Sequence, residues 1–216
     1  MRKNYEKQLE EVHTRLIEMG ALCEDAIASA ANALLNEDEA LRQKALGLEL
    51  EIDGIERDIE HSCVRLLLQQ QPIASDLRQV TAAQKMIYDM ERIGDQAADI
   101  AEISAFMRGS SVKSDVNIAD MARATSKMVT ESIDSFVNRD LELAYFVIKY
   151  DDVVDGLFSD IKRELIEQLM RGGGHAEECL DLLMIAKYFE RIGDHAVNIA
   201  DWVVYFLTGS RSASNV

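Results

Sequence analysis

The sequence predicts an all-α protein: a tandem repeat of two antiparallel three-helix bundles, with six long helices in total. Only one proline, Pro72, interrupts the 216 residues, and no segment shows the apolar–polar alternation of a strand. Apolar residues recur instead at gaps of three and four, which is typical of helices that face a bundle interior. One motif also occurs twice, as ERIGDQAADIAE at residues 91–102 and as ERIGDHAVNIAD at residues 190–201. Two copies 99 residues apart indicate a duplicated structural unit.

The first helix is predicted over residues 4–35, because its apolar residues form one continuous stripe. The members of that stripe are Leu9, Val12, Leu16, Met19, Cys23, Ile27, Ala30 and Leu34. Asn36 is expected to cap the second helix, since its side-chain oxygen can accept from backbone amides of the first turn. Glu39 then falls in that first turn, where a negative charge suits the helix dipole.

The second helix is predicted to end before Pro72, because the residue before a proline is biased away from helical conformation. Its core-facing residues are Leu41, Ala45, Leu48, Ile52, Ile55, Ile59 and Leu66. A third helix is predicted to begin near Ser75 and Asp76 and to contain the first copy of the motif. Residues 108–114, RGSSVKS, are predicted to form the linker to the second unit.

The same pattern then restarts in the second half of the chain. A shift of 102 maps NED at residues 36–38 onto NRD at 138–140, and IDGI at 52–55 onto VDGL at 154–157. Three glycines at residues 172–174 replace the segment around Pro72, and this shorter connection changes the shift from 102 to 99. The predicted organisation is a first repeat over residues 1–108, a second over 114–208, and a short polar tail over 209–216.

Composition and charge exclude several classes of protein. Lys and Arg number 23 against 39 Asp and Glu, a net charge of −16 without a basic cluster, so a nucleic-acid-binding surface is not expected. The longest apolar runs, such as residues 202–207, are too short to span a bilayer, and the polar N-terminus does not resemble a signal peptide. Cys23, Cys63 and Cys179 lie far apart and are predicted to be reduced core thiols of a cytosolic protein.

The candidate chemistry lies in acidic pairs at the helical spacing i, i+4. The pairs are Glu49 with Asp53, Glu91 with Asp95, Asp151 with Asp155, and Glu190 with Asp194. Each repeat has two of these pairs, one on its second helix and one on its third, and the two helices are expected to be antiparallel neighbours. Converging carboxylates must be protonated, separated by water or bridged by cations. Oxygen-only ligands suit magnesium, manganese, calcium or iron, with zinc also possible.

A glycine sits directly beside each acidic pair: Gly54, Gly94, Gly156 and Gly193. Because glycine within a helix costs about 1 kcal/mol relative to alanine, we expect these glycines to permit close helix approach. The alternative is that the acids form solvated helix faces, which is the usual role of acidic stripes. Four pairs at equivalent positions of two repeats favour a metal site instead.

Other chemically active residues give weaker signals. His195 follows Asp194, but it points about 100° away on the helix and its repeat equivalent is Gln96, so we expect it at the surface or behind a ligand. His13 completes a Glu-x-x-His match of the kind found in di-iron bundles, although that arrangement needs a second copy that the sequence lacks. Arg92 and Arg191 are expected to pair with neighbouring carboxylates.

The doubled motif, Glu-Arg-Ile-Gly-Asp-(Gln/His)-Ala-x-(Asp/Asn)-Ile-Ala-(Glu/Asp), resembles that of the PhoU family of phosphate-specific transport system accessory proteins. The likeness extends to chain length, to both repeats and to PIASDLR at residues 72–78. The resemblance implies a cytoplasmic, non-enzymatic, negative regulator of phosphate uptake and phosphate-responsive signalling. It also implies a homodimer that acts as an adaptor between the phosphate ABC transporter ATPase and a sensor histidine kinase, and that meets the membrane through these partners.

The resemblance further implies multinuclear iron or zinc clusters bound through Glu/Asp-x-x-x-Asp motifs, with magnesium or manganese as open alternatives. The corresponding metal ligands here are Glu49, Asp53, Glu91, Asp95 and Asp99 in the first repeat, and Asp151, Asp155, Glu190, Asp194 and Asn198 in the second. Asn198 is neutral where the first repeat has Asp99, so the second site is expected to bind metal more weakly. Phe158 likewise replaces Glu56.

Two other functions are compatible with the same residues. A di-metal carboxylate bundle could be a redox or hydrolytic enzyme, although the missing second Glu-x-x-His disfavours it. A metal-free scaffold could instead use its acidic faces to meet basic partners. Metal content and catalytic turnover would separate these from the regulator.

Overall fold

The computed structural model describes residues 2–69, 74–110, 112, 116–171 and 175–211. Within these residues the chain forms long helices joined by short connections, as the sequence predicts. They are α1 (Arg2–Asn36), α2 (Glu39–Gln69), α3 (Ala74–Ser104), α4 (Ile118–Asn138), α5 (Leu141–Arg171) and α6 (Ala176–Thr208). A short 3₁₀ helix, Ala105–Met107, follows α3 and ends just before the predicted linker. The loops around Pro72 and at residues 172–174 lie outside the described residues.

The turn between α1 and α2 corrects one prediction. Asn36 is the last residue of α1, and Asp38 caps α2: its Oδ1 accepts hydrogen bonds from the amides of Ala40 (2.9 Å) and Leu41 (3.1 Å). Asn36 cannot act as the cap because Glu37 reverses the chain between the two helices with a φ of 56°.

The turn between α4 and α5 repeats this arrangement. Arg139 has a φ of 53°, and Asp140 Oδ1 accepts from the Leu143 amide at 3.0 Å. Asp140 therefore caps α5 as Asp38 caps α2, which agrees with the predicted repeat.

The core fills both repeats and continues across the interface between them. α1 and α3 of the first pack against α4 and α6 of the second, whereas α2 and α5 pack on the helices of their own repeat. The predicted stripe of α1 is buried except for the partly buried Leu9. Burying each large aliphatic side chain contributes about 1.5–3 kcal/mol. The arrangement leaves α2 and α5 at the flanks, where one face of each helix meets solvent.

The mid-helix glycines do not all have the predicted role. A Cβ on Gly94 would lie 3.0 Å from Ile52 Cδ1, so this glycine permits close packing of α3 on α2. Gly193 has ordinary contacts, its nearest neighbours being Asp151 Oδ1 and a Val154 methyl, both at 3.5 Å. Gly54 and Gly156 would have nothing within 4 Å of an added Cβ, so close approach is the wrong explanation for both. We have no structural explanation for these two glycines.

The cysteines are buried and free, as predicted for core thiols. Burial raises the pKa of Cys63 to about 12, so the thiolate form is strongly disfavoured there. None of the described helices combines the length and the apolar character needed to cross a membrane.

Candidate metal centre

Three predicted ligands of the first repeat converge between α2 and α3. Glu49, Asp53 and Asp95 each offer a carboxylate oxygen, and these oxygens all lie within 4.8 Å of one another. Glu49 and Asp53 share a face of α2 because they are four residues apart, and the contact of Gly94 with Ile52 holds α3 close to that face. All three side chains are half-buried.

The cluster extends along the groove between the two helices. A groove of 540 Å³ is lined by Glu49, Asp95, Asp99 and Glu102, with Arg92 and Gln96. At the other end, the charges of Asp95, Asp53 and Glu56 act on Glu91. We call these seven acids the first carboxylate row: Glu49, Asp53, Glu56, Glu91, Asp95, Asp99 and Glu102.

Glu56 and Glu102 are not among the predicted ligands, although a signal for both exists in the sequence. Glu56 lies three residues after Asp53 and seven after Glu49, and Glu102 has the same relation to Asp99 and Asp95. Residues three, four and seven apart share a helix face, so extending each pair by one turn would have included both.

Burial and mutual repulsion raise several pKa values in the first row. Burial, then the charges of Asp53 and Asp95, raises the pKa of Glu49. Burial, then Asp95, raises the pKa of Glu91 in spite of the neighbouring Arg92. Burial, then Glu102 and Asp95, raises the pKa of Asp99. The ionised row is therefore electrostatically strained, and a bound cation would relieve that strain.

Two arginines partly neutralise the first row. Arg57 Nη2 lies 2.9 Å from Asp53 Oδ2, and Arg92 Nη1 lies 2.8 Å from Asp95 Oδ2. Arg92 Nε also lies 3.2 Å from Glu91 Oε2, which confirms the predicted pairing of Arg92 with neighbouring acids. The arginine contacts use only Oδ2 of each aspartate, so Oδ1 of both lies outside these contacts. Glu91 Oε2 is buried, and no described residue donates a well-aligned hydrogen bond to it.

The predicted ligands of the second repeat form a looser set. Burial, then the charges of Asp155, Asp194 and Glu190, raises the pKa of Asp151 to about 6, so Asp151 lies within electrostatic reach of the other three acids. Among the described residues, however, only the trio of the first repeat brings three ligand atoms within 4.8 Å. Lys187 forms an ion pair with Glu190. We call Asp151, Asp155, Glu190 and Asp194 the second carboxylate row.

Asn198 lies at the interface between the repeats. Its Nδ2 donates a hydrogen bond to Asp89 Oδ1 at 3.1 Å, and His195 Nδ1 lies 2.9 Å from the same oxygen. Of the two positions expected for His195, the surface is ruled out because the side chain is half-buried against α3, where it shares Asp89 Oδ1 with the predicted ligand Asn198. At the equivalent positions of the other repeat, the Tyr188 side chain contacts Asp99. Asp89 carries no signal in the sequence, because its repeat equivalent is Tyr188 and its partners lie on α6 of the other repeat.

His13 and His61 are not part of the described groove lining of the first row. The His13 ring stacks against Phe136 with 5.2 Å between ring centroids, and it lines a separate groove with Glu10. His61 lines another groove, with Glu11 and Arg15. The described linings of the first row hold carboxylate oxygens and one amide but no histidine or cysteine. This donor set fits a hard cation such as iron, manganese or magnesium.

The fold and this site define an all-α protein of two three-helix repeats, with a carboxylate row between the second and third helices of each. The family model described as "PhoU domain" matches residues 16–104 and 118–203. The chain therefore belongs to the PhoU family, and the resemblance seen in the doubled motif is confirmed.

Individual relatives match over nearly the whole chain. The chain is 36% identical over 210 residues to the phosphate-specific transport system accessory protein PhoU homolog of Pseudomonas aeruginosa, covering 96% of this chain and 87% of that one. It is 35% identical over 212 residues to the homolog of the same name from Clostridium acetobutylicum, covering 97% of each.

Solved structures show the same fold. The crystal structure of PhoU from Pseudomonas aeruginosa matches with a TM-score of 0.90 at 35% identity, over 95% of this chain and 100% of that one. The phosphate transport system regulatory protein PhoU from Streptococcus pneumoniae matches with a TM-score of 0.88 at 23% identity, over 96% and 99% of the two chains. The prediction of two three-helix repeats is confirmed.

Proposed function

We propose that this protein is a cation-dependent regulator of phosphate uptake, acting as an accessory to a phosphate transport system. The observation that carries the metal part is the trio Glu49, Asp53 and Asp95, with oxygens within 4.8 Å of one another. The phosphate part is supported by the relatives from Pseudomonas aeruginosa and Clostridium acetobutylicum, both phosphate-specific transport system accessory proteins. Similarity over almost the full length of both chains supports a shared role.

A cation in the first row would join α2 to α3, because it neutralises carboxylates that otherwise repel one another. α3 in turn packs against α6, where Asp99 contacts Tyr188 and Asp89 contacts Asn198. We expect cation binding to order the α2–α3 face and, through α3, the interface between the repeats. This is how occupancy of the row would change the surface offered to a partner.

The proposed ligands are those implied by the family, in both rows. Asn198 stays a predicted ligand through its Oδ1, since the atom that contacts Asp89 is Nδ2. Iron and zinc are the cations that the family implies, with magnesium and manganese as alternatives; the described oxygen donors suit iron, manganese and magnesium better than zinc. The second row is proposed to bind more weakly, since Lys187 already pairs with Glu190 and Asn198 adds no charge.

The proposed partners are the phosphate ABC transporter ATPase and a sensor histidine kinase. We propose that a cytoplasmic homodimer bridges them and restrains phosphate uptake, without catalytic turnover of its own. The net charge of −16 and the half-buried acidic rows, which border open grooves, support docking against basic surfaces. The di-metal enzyme alternative is not favoured, because His13 and His61 line other grooves and so do not complete a Glu-x-x-His pair beside the rows.

Two experiments test the proposal. Elemental analysis of the purified protein tests metal binding, and phosphate uptake in a strain that lacks the gene tests the regulatory role. We expect stoichiometric metal in the wild type and its loss in the double variant Asp95→Ala/Asp194→Ala. Phosphate uptake should be derepressed in the deletion strain and restored by wild type but not by the double variant. Glu51→Ala is the matched control, since Glu51 is an exposed acid of α2 outside the row. Equal metal content in all three proteins would contradict the metal role, and unchanged uptake on deletion would contradict the phosphate role.

A further inference from the structure

Gln96 of α3 has a buried side-chain oxygen without a hydrogen-bond donor. The residue is only 4% exposed, and none of the described residues donates to its Oε1. Leaving a buried acceptor unsatisfied costs about 1–3 kcal/mol, and buried polar atoms in folded proteins nearly always have a partner. The orphaned oxygen therefore needs a physical reason.

The groove beside Gln96 contains few donors. Although Gln96 leaves the helix about 100° away from Asp95, it lines the groove of the first carboxylate row together with Glu49, Asp95, Asp99 and Glu102. Ionised carboxylates are acceptors only, so none of these four can donate to Oε1. Arg92, the cation of the same lining, is engaged by Asp95, Glu91 and the Tyr88 hydroxyl. A cation bound beside these carboxylates would give Oε1 of Gln96 the positive partner that the groove lining does not supply.

We propose that Gln96 supplies a neutral oxygen ligand, through Oε1, to a hard divalent cation held in this groove by Glu49 and Asp95. Side-chain amide oxygens are ordinary ligands of such cations. The amide adds a ligand atom without adding another negative charge to a row of seven acids. This inference rests on the proposed metal-binding function and deepens it.

The second repeat lacks this ligand. His195 occupies the position equivalent to Gln96, and its Nδ1 lies 2.9 Å from Asp89 Oδ1, on the helix of the other repeat. The first site therefore has an extra neutral donor that the second does not, which makes the two sites chemically different even though their acidic pairs match.

Gln96→Met tests the assignment, because methionine is similarly long and flexible but has no oxygen. With Mn²⁺ as the probe, we expect isothermal titration to show about tenfold weaker binding, which corresponds to about 1.4 kcal/mol. Without metal, the melting temperature should rise, since the variant removes the orphaned oxygen. Gln96→Glu restores an oxygen, so it should restore Mn²⁺ affinity while lowering the metal-free melting temperature. Gln84→Met, on the same helix but outside the described lining, should change neither affinity nor stability appreciably.

Nuclear magnetic resonance of the unmodified protein tests whether the bound ion lies beside Gln96, as the ligand role requires. Substoichiometric Mn²⁺ should broaden the side-chain amide signals of Gln96 well before those of Gln84. Equal broadening of the two would overturn the proposal.

The outcomes separate this inference from the proposed function. Unchanged Mn²⁺ affinity in Gln96→Met, with affinity lost in Asp95→Ala, would overturn the ligand role of Gln96 alone. Unchanged affinity in both variants would overturn metal binding by the row itself. A lower metal-free melting temperature of Gln96→Met would show that Oε1 has a partner in the free protein, such as a water molecule, and would also overturn the inference.

Discussion

Asp89 on α3 accepts a hydrogen bond from Asn198 on α6, with 3.1 Å between Asp89 Oδ1 and Asn198 Nδ2. At the equivalent positions of the repeat, Asp99 on α3 contacts Tyr188 on α6. The two contacts are reciprocal, as expected for a pseudo-two-fold axis between the third helices. The ninth residue of each copy of the doubled motif, Asp99 or Asn198, thus reaches across to the other repeat.

Asp89→Ala should destabilise the protein without emptying the first row. Asp89 is only 7% exposed and faces both Asn198 and His195, so its removal leaves two half-buried side chains without their acceptor. The expected loss is about 1–3 kcal/mol in the free energy of unfolding, measured by urea denaturation. Mn²⁺ affinity of the first row should stay unchanged. A variant as stable as wild type would show that this contact adds nothing to the interface.

The metal-free protein should become more stable as pH falls from 7.5 towards 5. The pKa of Asp151 is raised from its ordinary 3.8 to about 6, so the folded state binds a proton more readily than the unfolded state. Ionised Asp151 therefore destabilises the fold above pH 6, and protonation relieves this between pH 6 and 4. Melting temperatures in chelator measure the effect.

Asp151→Asn is the control for that pH dependence. The variant should melt higher than wild type at pH 7.5 and show a smaller gain on acidification, because the amide cannot ionise. Identical pH profiles for the two proteins would contradict the raised pKa. Glu51→Gln, which changes an exposed acid of α2 that is not among the charges acting on Asp151, should leave the profile close to that of wild type.

Arg57→Ala should strengthen cation binding to the first row. Arg57 Nη2 lies 2.9 Å from Asp53 Oδ2 and competes with a cation for that carboxylate. Because the arginine is largely exposed, the gain is modest, about 0.2–1 kcal/mol or up to fivefold in affinity by calorimetry. Arg163→Ala, which breaks a similar exposed pair with Asp160 on α5, should not change binding to this row. Weaker binding in Arg57→Ala would contradict the competition.

Alanine substitution at Gly20 and at Gly54 should change the free energy of unfolding in opposite directions. A Cβ on Gly20 would lie 2.7 Å from Ile133 Cδ1, so Gly20→Ala must displace the Ile133 side chain or move α1 away from α4, and should cost about 1–3 kcal/mol. Gly54 has nothing within 4 Å of such a Cβ, so Gly54→Ala should add about 1 kcal/mol through helix propensity. Chemical denaturation measures both. Loss of stability in Gly54→Ala would reveal a contact made only in an assembly.

Local periodicity explains why most of the fold was predictable. The stripe from Val12 to Leu34 and the spacing of Glu49, Asp53, Glu91 and Asp95 both follow from the helical repeat of 3.6 residues. The capping prediction failed where two nearby residues could each cap the same helix. Asn36 and Asp38 are both good caps, and only the backbone of Glu37 decides between them.

The sequence by itself determined the helices, the duplication, and which acids share a helix face, because these depend on neighbours along the chain. Only the tertiary structure decided which faces meet: that Asp89 contacts His195 and Asn198, and that Gln96 is buried beside the first carboxylate row. Those contacts depend on the orientation of α2, α3 and α6 about their axes and on the distances between these helices. Close-packed side chains such as Ile52 against Gly94 set that approach, and no pattern within one helix contains it.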